Sequence, residues 1–135
     1  MGRPPVIVID THIWIWWVDG NSRLSPAHLR ALQEYEATGI GVSAISCWEI
    51  AKLVEYGRIH LSHPVQEWLD AALSYPGIEL LPLSPTVAVA ATTLPEGFHK
   101  DPADQIIVAT ARVLDCPLLT ADEKILAYQH VRTLK

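Results

Sequence analysis

Several residue types that mark particular protein classes are scarce in this sequence. Its 135 residues include two cysteines, Cys47 and Cys116, which are far apart and show neither metal-ligand nor disulfide spacing. This usage fits reduced thiols, and we therefore expect a cytoplasmic protein. No hydrophobic run approaches the roughly twenty residues of a membrane-spanning helix. The apolar stretch before Asp10 is too short for a signal sequence, so we expect no association with a membrane.

Positive charge is scarce as well. The chain has 10 Lys and Arg residues against 15 Asp and Glu residues, which gives a formal net charge of −5. Tight binding to long, bare nucleic-acid duplexes is therefore unfavourable, because sequence-independent affinity for phosphates comes from Lys and Arg. Half of the residues are hydrophobic and only 19% are charged, which argues against a disordered chain or a coiled coil. The length fits a single globular domain spanning residues 1–135.

The sequence that remains alternates between strand and helix patterns. Short apolar or β-branched segments predict strands at 6–9, 40–45, 79–83, 118–120 and 131–134. Helical periodicity, bounded by serine, proline and glycine signals, predicts helices at 25–38, 46–56, 64–74, 85–93, 102–115 and 121–130, with a short one at 11–18. This order predicts an α/β fold in which helices cover both faces of a parallel sheet.

Four acidic residues stand where a predicted strand ends or a predicted helix begins. They are Asp10, Glu49, Asp104 and Asp122. We expect them to converge, because the carboxyl ends of parallel strands and the first turns of the following helices share one edge of the sheet. Mg²⁺ and Mn²⁺ prefer oxygen ligands and are bound through a few carboxylates and substrate phosphates. The pattern therefore predicts a divalent-metal site for phosphodiester chemistry, and bound cations would offset its negative charge.

Three of the four acids also have a local explanation as helix caps. The capping patterns are Ser46 to Glu49, Asp101 to Asp104, and Thr120 to Glu123 with Asp122 between its ends. A single acid at a helix N-terminus is stabilised by the helix dipole in any case, so the structural role is favoured for each acid taken alone. Only their convergence would favour a functional role.

Asp10 differs from the other three because no local cap explains it. It ends the run Val6 to Ile9, and a carboxylate next to such an apolar strand is costly unless a cation or hydrogen-bond donor receives it. A metal ion would receive it. The neighbouring Thr11 could hydrogen-bond to the site, although a turn or cap role suits its hydroxyl equally well.

Four segments together resemble the PIN domain, specifically the VapC-like toxin ribonucleases of bacterial and archaeal toxin-antitoxin pairs. They are VIVIDTHIWIWW at 6–17, SAISCWEIAKLVEYGRI at 43–59, HKDPADQIIVATA at 99–111 and LLTAD at 118–122. The resemblance implies a single-domain α/β/α sandwich with a central parallel sheet and a Rossmann-like order of strands and helices. It also implies a homodimer, Mg²⁺- or Mn²⁺-dependent endonucleolytic cleavage of RNA, and a cognate antitoxin protein as partner.

The resemblance also assigns roles to individual residues. Asp10 and Asp104 correspond to the principal metal ligands, and Glu49 and Asp122 complete the set directly or through water. Either of these two acids could instead hold a second metal ion or accept the proton of the attacking water. Asp101 resembles the family's neighbouring aspartate, which is more often a cap than a ligand. Gln105 stands where related toxins often carry an arginine, so a cation that could contact acid or phosphate is absent.

Other interpretations stay open at this point. A PIN fold without activity would act only as a binding module, although the presence of all four acids argues against it. A phosphoaspartyl phosphatase or receiver-like domain would phosphorylate Asp10, but such a phosphatase needs a second aspartate where this chain has His12. Trp14, Trp16 and Trp17 could stack on unpaired bases, but their alternation with apolar residues favours the core or a protein interface.

Overall fold

The computed structural model describes residues 7–134, so Val6 at the predicted start of the first strand lies outside the described residues. The strands and helices alternate as the sequence predicts. In chain order they are β1 (Ile7–Ile9), α1 (Thr11–Asp19), α2 (Pro26–Tyr35), β2 (Ile40–Ser43), α3 (Ala44–Glu55), α4 (Val65–Leu73), β3 (Ile78–Leu81), α5 (Pro85–Thr92), α6 (Pro102–Leu114), β4 (Leu118–Leu119), α7 (Glu123–Leu126) and β5 (Thr133–Leu134). No described helix combines the length and apolarity that crossing a membrane requires.

The strands form one five-stranded sheet in the order β3-β2-β1-β4-β5, and each neighbouring pair is parallel. The central strand β1 pairs with β2 through Ile7 and Ile40 and with β4 through Ile9 and Leu119. Its continuous apolar sequence is explained by this position, since a central parallel strand is buried on both faces. The predicted α/β fold with a central parallel sheet is confirmed.

Two apolar layers cover the sheet, one on each face. Ile7 and Ile9 join a core that contains Trp14 and Trp68, whose rings meet edge to face with centroids 5.5 Å apart. Val8 points to the opposite face and packs in a second core formed largely by α6, β4 and α7. Trp14 is fully buried, as the core interpretation of the tryptophan run predicts. Burial of each such large side chain contributes about 1.5–3 kcal/mol.

One helix boundary differs from the predicted position in a way that affects the site. Helix α3 begins at Ala44, two residues before the predicted start, because Ser43 is its N-cap and accepts a hydrogen bond from Ile45 N at 3.2 Å. Ser46 therefore lies inside the helix. The predicted capping box between Ser46 and Glu49 is wrong, and the carboxylate of Glu49 is free of that local role.

The last helix is shorter than predicted. Helix α7 ends at Leu126, whereas the sequence pattern predicts a helix as far as residue 130. The tertiary contacts of Tyr128 explain the early end, because its ring packs against Phe98 with centroids 4.7 Å apart and its hydroxyl donates to the carbonyl of Pro95 at 2.5 Å. The chain then turns into β5, which pairs with β4.

Candidate metal centre

The predicted acids lie at the edge of the sheet where the parallel strands end. Asp10 directly follows β1, and Asp122 follows β4. Glu49 is in the second turn of α3, the helix that continues from β2, and Asp104 is in the first turn of α6. Neighbouring strands therefore bring together residues that are far apart in the sequence, because parallel connections return each strand to the same edge.

Three carboxylates form the tightest group at this edge. Glu49, Asp101 and Asp104 each offer an oxygen atom, and these atoms lie within 4.8 Å of one another. Two of the four predicted acids thus meet, joined by Asp101. Asp122 faces Asp104 and Asp101 across an adjoining cleft of about 390 Å³, which is lined by His99, Asp101, Asp104, Asp122, Glu123 and Lys124.

Asp10 lies beside this group and outside it, with only 6% of its surface exposed. Its Oδ1 accepts a hydrogen bond from Ile13 N at 3.0 Å, so Asp10 is the N-cap of α1. The expectation that no local cap explains this residue is wrong. Its Oδ2 accepts the hydroxyl proton of Thr120. An ionised carboxylate can accept about four hydrogen bonds, so these two leave capacity for a further donor or a cation.

Thr120 connects two of the predicted acids. Its hydroxyl donates to Asp10 and accepts a hydrogen bond from the backbone N–H of Asp122 at 3.0 Å. The predicted capping box from Thr120 to Glu123 is wrong, because Asp122 itself is the N-cap of α7. The cap uses one oxygen of Asp122, which accepts from Lys124 N at 2.8 Å and from Ile125 N at 3.2 Å.

Glu49 is held by a side chain from another helix. The hydroxyl of Thr11 in α1 donates to Glu49 Oε1 at 2.5 Å, and Ser46 Oγ lies 2.9 Å from the same hydroxyl. Thr11 therefore hydrogen-bonds to the site, as one of its two predicted roles requires. The contact joins the helix after β1 to the helix after β2, which fixes the position of Glu49 relative to Asp10.

Asp104 has a partner that sequence reasoning missed. Its Oδ2 lies 2.8 Å from Nε2 of His99, and its backbone N–H donates to Asp101 Oδ1 at 3.0 Å, so Asp101 caps α6 as predicted. Gln105, at the position where related toxins often carry arginine, donates from Nε2 to the carbonyl of His99 at 3.1 Å. The only sequence signal for His99 is its place in the segment 99–111, since a loop histidine has no periodicity to mark it.

The electrostatics of the site are unfavourable for the protein alone. Burial raises the pKa of Asp10, Glu49 and Asp104, and neighbouring carboxylates raise the pKa of each of them further. Hydrogen bonds oppose this rise in pKa, with Thr120, Thr11 and His99 as the respective side-chain donors. Among residues 7–134, no predicted acid forms a salt bridge with lysine or arginine.

These properties fit a divalent cation. The donors are carboxylate oxygens, which hard ions such as Mg²⁺ and Mn²⁺ prefer. A cation would also stabilise the ionised carboxylates and so reverse the effect of burial on their pKa values. The hydrogen bonds from Thr120, Thr11 and His99 already fix the acids before any ion binds, as the partners of metal-ligating carboxylates commonly do.

Comparisons with known proteins identify the family of this chain. A sequence model of the PIN domain family matches residues 7–131. Ribonuclease VapC22 of Mycobacterium tuberculosis is 36% identical over 126 residues, which cover 93% of this chain and 94% of that protein. A chain in a toxin-antitoxin complex from Klebsiella pneumoniae superposes with a TM-score of 0.67 at 18% identity, covering 96% of each chain. A chain of VapBC2 from Rickettsia felis, bound to a DNA fragment from its promoter, gives a TM-score of 0.66 at 19% identity, covering 94% of this chain and 96% of that one.

The two solved structures agree in the fold, and the sequence matches define the relationship more closely. The matched residues begin at β1 and extend beyond α7, so they include all four predicted acids. A match of this extent, together with the 36% identity to a VapC protein, shows that the chain belongs to the PIN domain family and to its VapC-like members.

Proposed function

We propose that this protein is a Mg²⁺- or Mn²⁺-dependent endoribonuclease and the toxin of a type II toxin-antitoxin pair. The observation that carries the proposal is the group of three carboxylates whose oxygen atoms lie within 4.8 Å of one another, beside the buried Asp10. Its VapC-like relative is named a ribonuclease, and the superposed chains come from toxin-antitoxin proteins. Acidic clusters of this composition suit phosphodiester hydrolysis.

In this proposal Asp10 and Asp104 are the principal metal ligands, and Glu49 and Asp122 complete the set. When bound, a divalent ion would lower the pKa of a coordinated water and offset the negative charge of the phosphodiester. Asp10 suits the role because its two hydrogen bonds leave acceptor capacity. Asp101, which the resemblance treats as a cap, is close enough to Glu49 and Asp104 to contribute an oxygen as well.

Other residues of the chain hold and orient these acids. The hydroxyl of Thr120 links Asp10 to the backbone at Asp122. Thr11 orients the carboxylate of Glu49. Glu49 or Asp122 accepts the proton from the attacking water.

The geometry gives less support to the competing functions. A phosphoaspartyl enzyme needs an accessible aspartate, whereas Asp10 is 6% exposed and both of its oxygens accept hydrogen bonds. A binding module without activity would gain nothing from burying several carboxylates whose pKa values are raised. An RNA cleavage assay distinguishes such a binding module from a nuclease.

The test is an RNA cleavage assay on the purified protein with Mn²⁺, with Mg²⁺ and with EDTA. We expect cleavage with either ion and none with EDTA. Asp10→Asn is expected to reduce the rate by about 100-fold or more, since asparagine keeps the cap of α1 but loses the charge. Asp70→Asn, which changes an exposed aspartate of α4, is the matched control and should cleave normally. Cleavage in EDTA, or full activity of Asp10→Asn, would contradict the proposal.

The proposal includes two protein partners, a second copy of the chain and a cognate antitoxin. Two large aromatic side chains are exposed side by side along α3 and its C-cap, Trp48 at 51% and Tyr56 at 68%, and both contact Lys52. Exposed apolar surface of this kind is typical of protein interfaces. Light scattering after gel filtration should give a dimer for the protein alone. Coexpression with the adjacent small reading frame should yield a complex and relieve growth arrest, and failure of both would contradict the antitoxin assignment.

A further inference from the structure

His99 contacts the carboxylate of Asp104 in a defined geometry. Its Nε2 lies 2.8 Å from Asp104 Oδ2, and the two side chains are only 23% and 18% exposed. A carboxylate oxygen accepts the proton in this bond, so Nε2–H is the donor. Asp104 belongs both to the group of three carboxylates and to the cleft that contains Asp122. The orientation of this one carboxylate therefore affects both parts of the site.

The position of His99 is itself fixed by its neighbours. Its ring lies against Phe98, with centroids 4.1 Å apart, and its carbonyl accepts a hydrogen bond from Gln105 Nε2 at 3.1 Å. Gln105 and Asp104 are adjacent in the first turn of α6. Gln105 thus binds the backbone of His99, and the neighbouring Asp104 binds its ring.

Contacts that do not involve the ring also hold the loop that carries it. The backbone of His99 is already bound by Gln105, and Phe98 packs against Tyr128 with centroids 4.7 Å apart. Tyr128 in turn donates to the carbonyl of Pro95. Because these contacts anchor the segment on both sides, the bond from Nε2 to Asp104 is available for a purpose other than local structure.

We propose that His99 is a positioning residue that occupies one oxygen of Asp104 and so directs the other oxygen toward the metal site, with Gln105 securing His99. The inference rests on the proposed function, since it treats Asp104 as a metal ligand. Gln105, at the position where related toxins often carry an arginine, binds the backbone of His99. Such supporting hydrogen bonds typically change metal affinity by about 10-fold to 100-fold.

The experiment measures Mn²⁺ affinity of the full chain by isothermal titration calorimetry without RNA. His99→Ala is expected to weaken binding by about 10-fold or more, while its melting temperature in EDTA changes little. His99→Gln, which keeps an N–H donor, should recover part of the affinity. Gln105→Ala should weaken binding less than His99→Ala, because the ring remains. His60→Ala, which removes an exposed loop histidine, is the matched control and should bind like the unaltered protein.

The outcomes separate this inference from the proposed function. Equal Mn²⁺ affinity of His99→Ala and the unaltered protein would overturn the role of His99 and leave the nuclease proposal standing. If His99→Ala does not fold, His99→Phe decides, because it keeps an aromatic ring against Phe98 but lacks the N–H donor, and unaltered affinity in it would overturn the role. A folded His99→Gln that binds no better than His99→Ala would also overturn it, since the donor would then be irrelevant. Absence of Mn²⁺ binding by the unaltered protein would overturn both proposals.

Discussion

The two ends of helix α6 differ in their charged side chains: like charges lie together at one end, and opposite charges pair at the other. At its N-terminus Asp101 and Asp104 lie close to a third carboxylate, that of Glu49. At its C-terminus Asp115 pairs with Arg132 at 3.1 Å, and these side chains are 95% and 63% exposed. The helix dipole favours acids at the first end, but only within the first turn and by a modest amount. It therefore does not account for a third acid brought from another helix.

The two arrangements differ in whether their charges stabilise the folded protein. Opposite charges that pair in solvent contribute about 0–1 kcal/mol and affect little else. Like charges gathered in a half-buried place destabilise the folded protein, as the raised pKa of Asp104 indicates. A bound cation would offset the repulsion among these carboxylates, and we propose that the cluster binds a metal ion.

The largest difference in RNA cleavage is expected between the same substitution, Asp to Asn, at the N-terminal and C-terminal ends of α6. Asp104→Asn should reduce RNA cleavage by about 100-fold or more, because a proposed metal ligand is lost. It should also raise the melting temperature in EDTA, because a like charge is removed from the cluster. Asp115→Asn should change neither cleavage nor the melting temperature appreciably, since its partner is exposed. Loss of RNA cleavage in Asp115→Asn would contradict the prediction that only the N-terminal end of α6 serves the active site.

A smaller effect concerns pH. The folded-state pKa values of Asp10, Glu49 and Asp104 lie above the ordinary values of 3.8 for Asp and 4.5 for Glu. The folded protein therefore binds more protons than the unfolded chain between those values and the raised ones. The stabilisation from these groups is full below the ordinary values and is lost as pH rises through the raised pKa values.

Calorimetry in EDTA should accordingly show stability from these groups falling as the pH rises above the ordinary carboxyl values. Each 1 kcal/mol corresponds to roughly 4 °C in a domain of this size. Mn²⁺ should reverse the trend near neutral pH, because a cation stabilises the ionised carboxylates. Asp104→Asn should flatten the slope measured in EDTA. A slope that is identical in this variant would contradict the assignment of the pH dependence to the acidic cluster.

The smallest effect is expected at the far end of α6. Arg132→Ala removes the pair with Asp115 and a hydrogen bond to the carbonyl of that residue. The free energy of unfolding should fall by no more than about 1 kcal/mol, since the pair is exposed. Cleavage and Mn²⁺ affinity should not change. Urea unfolding at low and high salt measures the effect, and a loss of several kcal/mol would mean that this pair is a structural determinant.

Elements with strong periodicity could be predicted from the sequence. The β-branched run of β1 indicates a buried parallel strand, and the serine-proline start of α2 indicates a helix at Pro26. The end of α7 could not be predicted, because Tyr128 leaves the helical path to reach Phe98 and Pro95, which are distant in sequence. Local propensity carries no information about such contacts.

The site was predictable as a set of acids at one edge, but not in its detailed contacts. Asp10 is the N-cap of α1, and its own residue type was the available signal, because aspartate is among the preferred N-cap residues. Glu49 loses its predicted capping role because Ser43 starts α3 earlier. The hydroxyl of Thr120 reaches Asp10 across 110 positions of sequence, a contact that follows only from the pairing of β1 with β4.

That pairing has a consequence for synthesis on the ribosome. Asp10 is made early, whereas its partner Thr120 emerges after most of the chain, and strand β4 must join β1 before the two meet. At a translation rate of about 5–20 residues per second, an emerging chain spends several seconds without the complete site. For an enzyme proposed to cut RNA, this delay would keep a nascent chain inactive beside the ribosome and message that produce it.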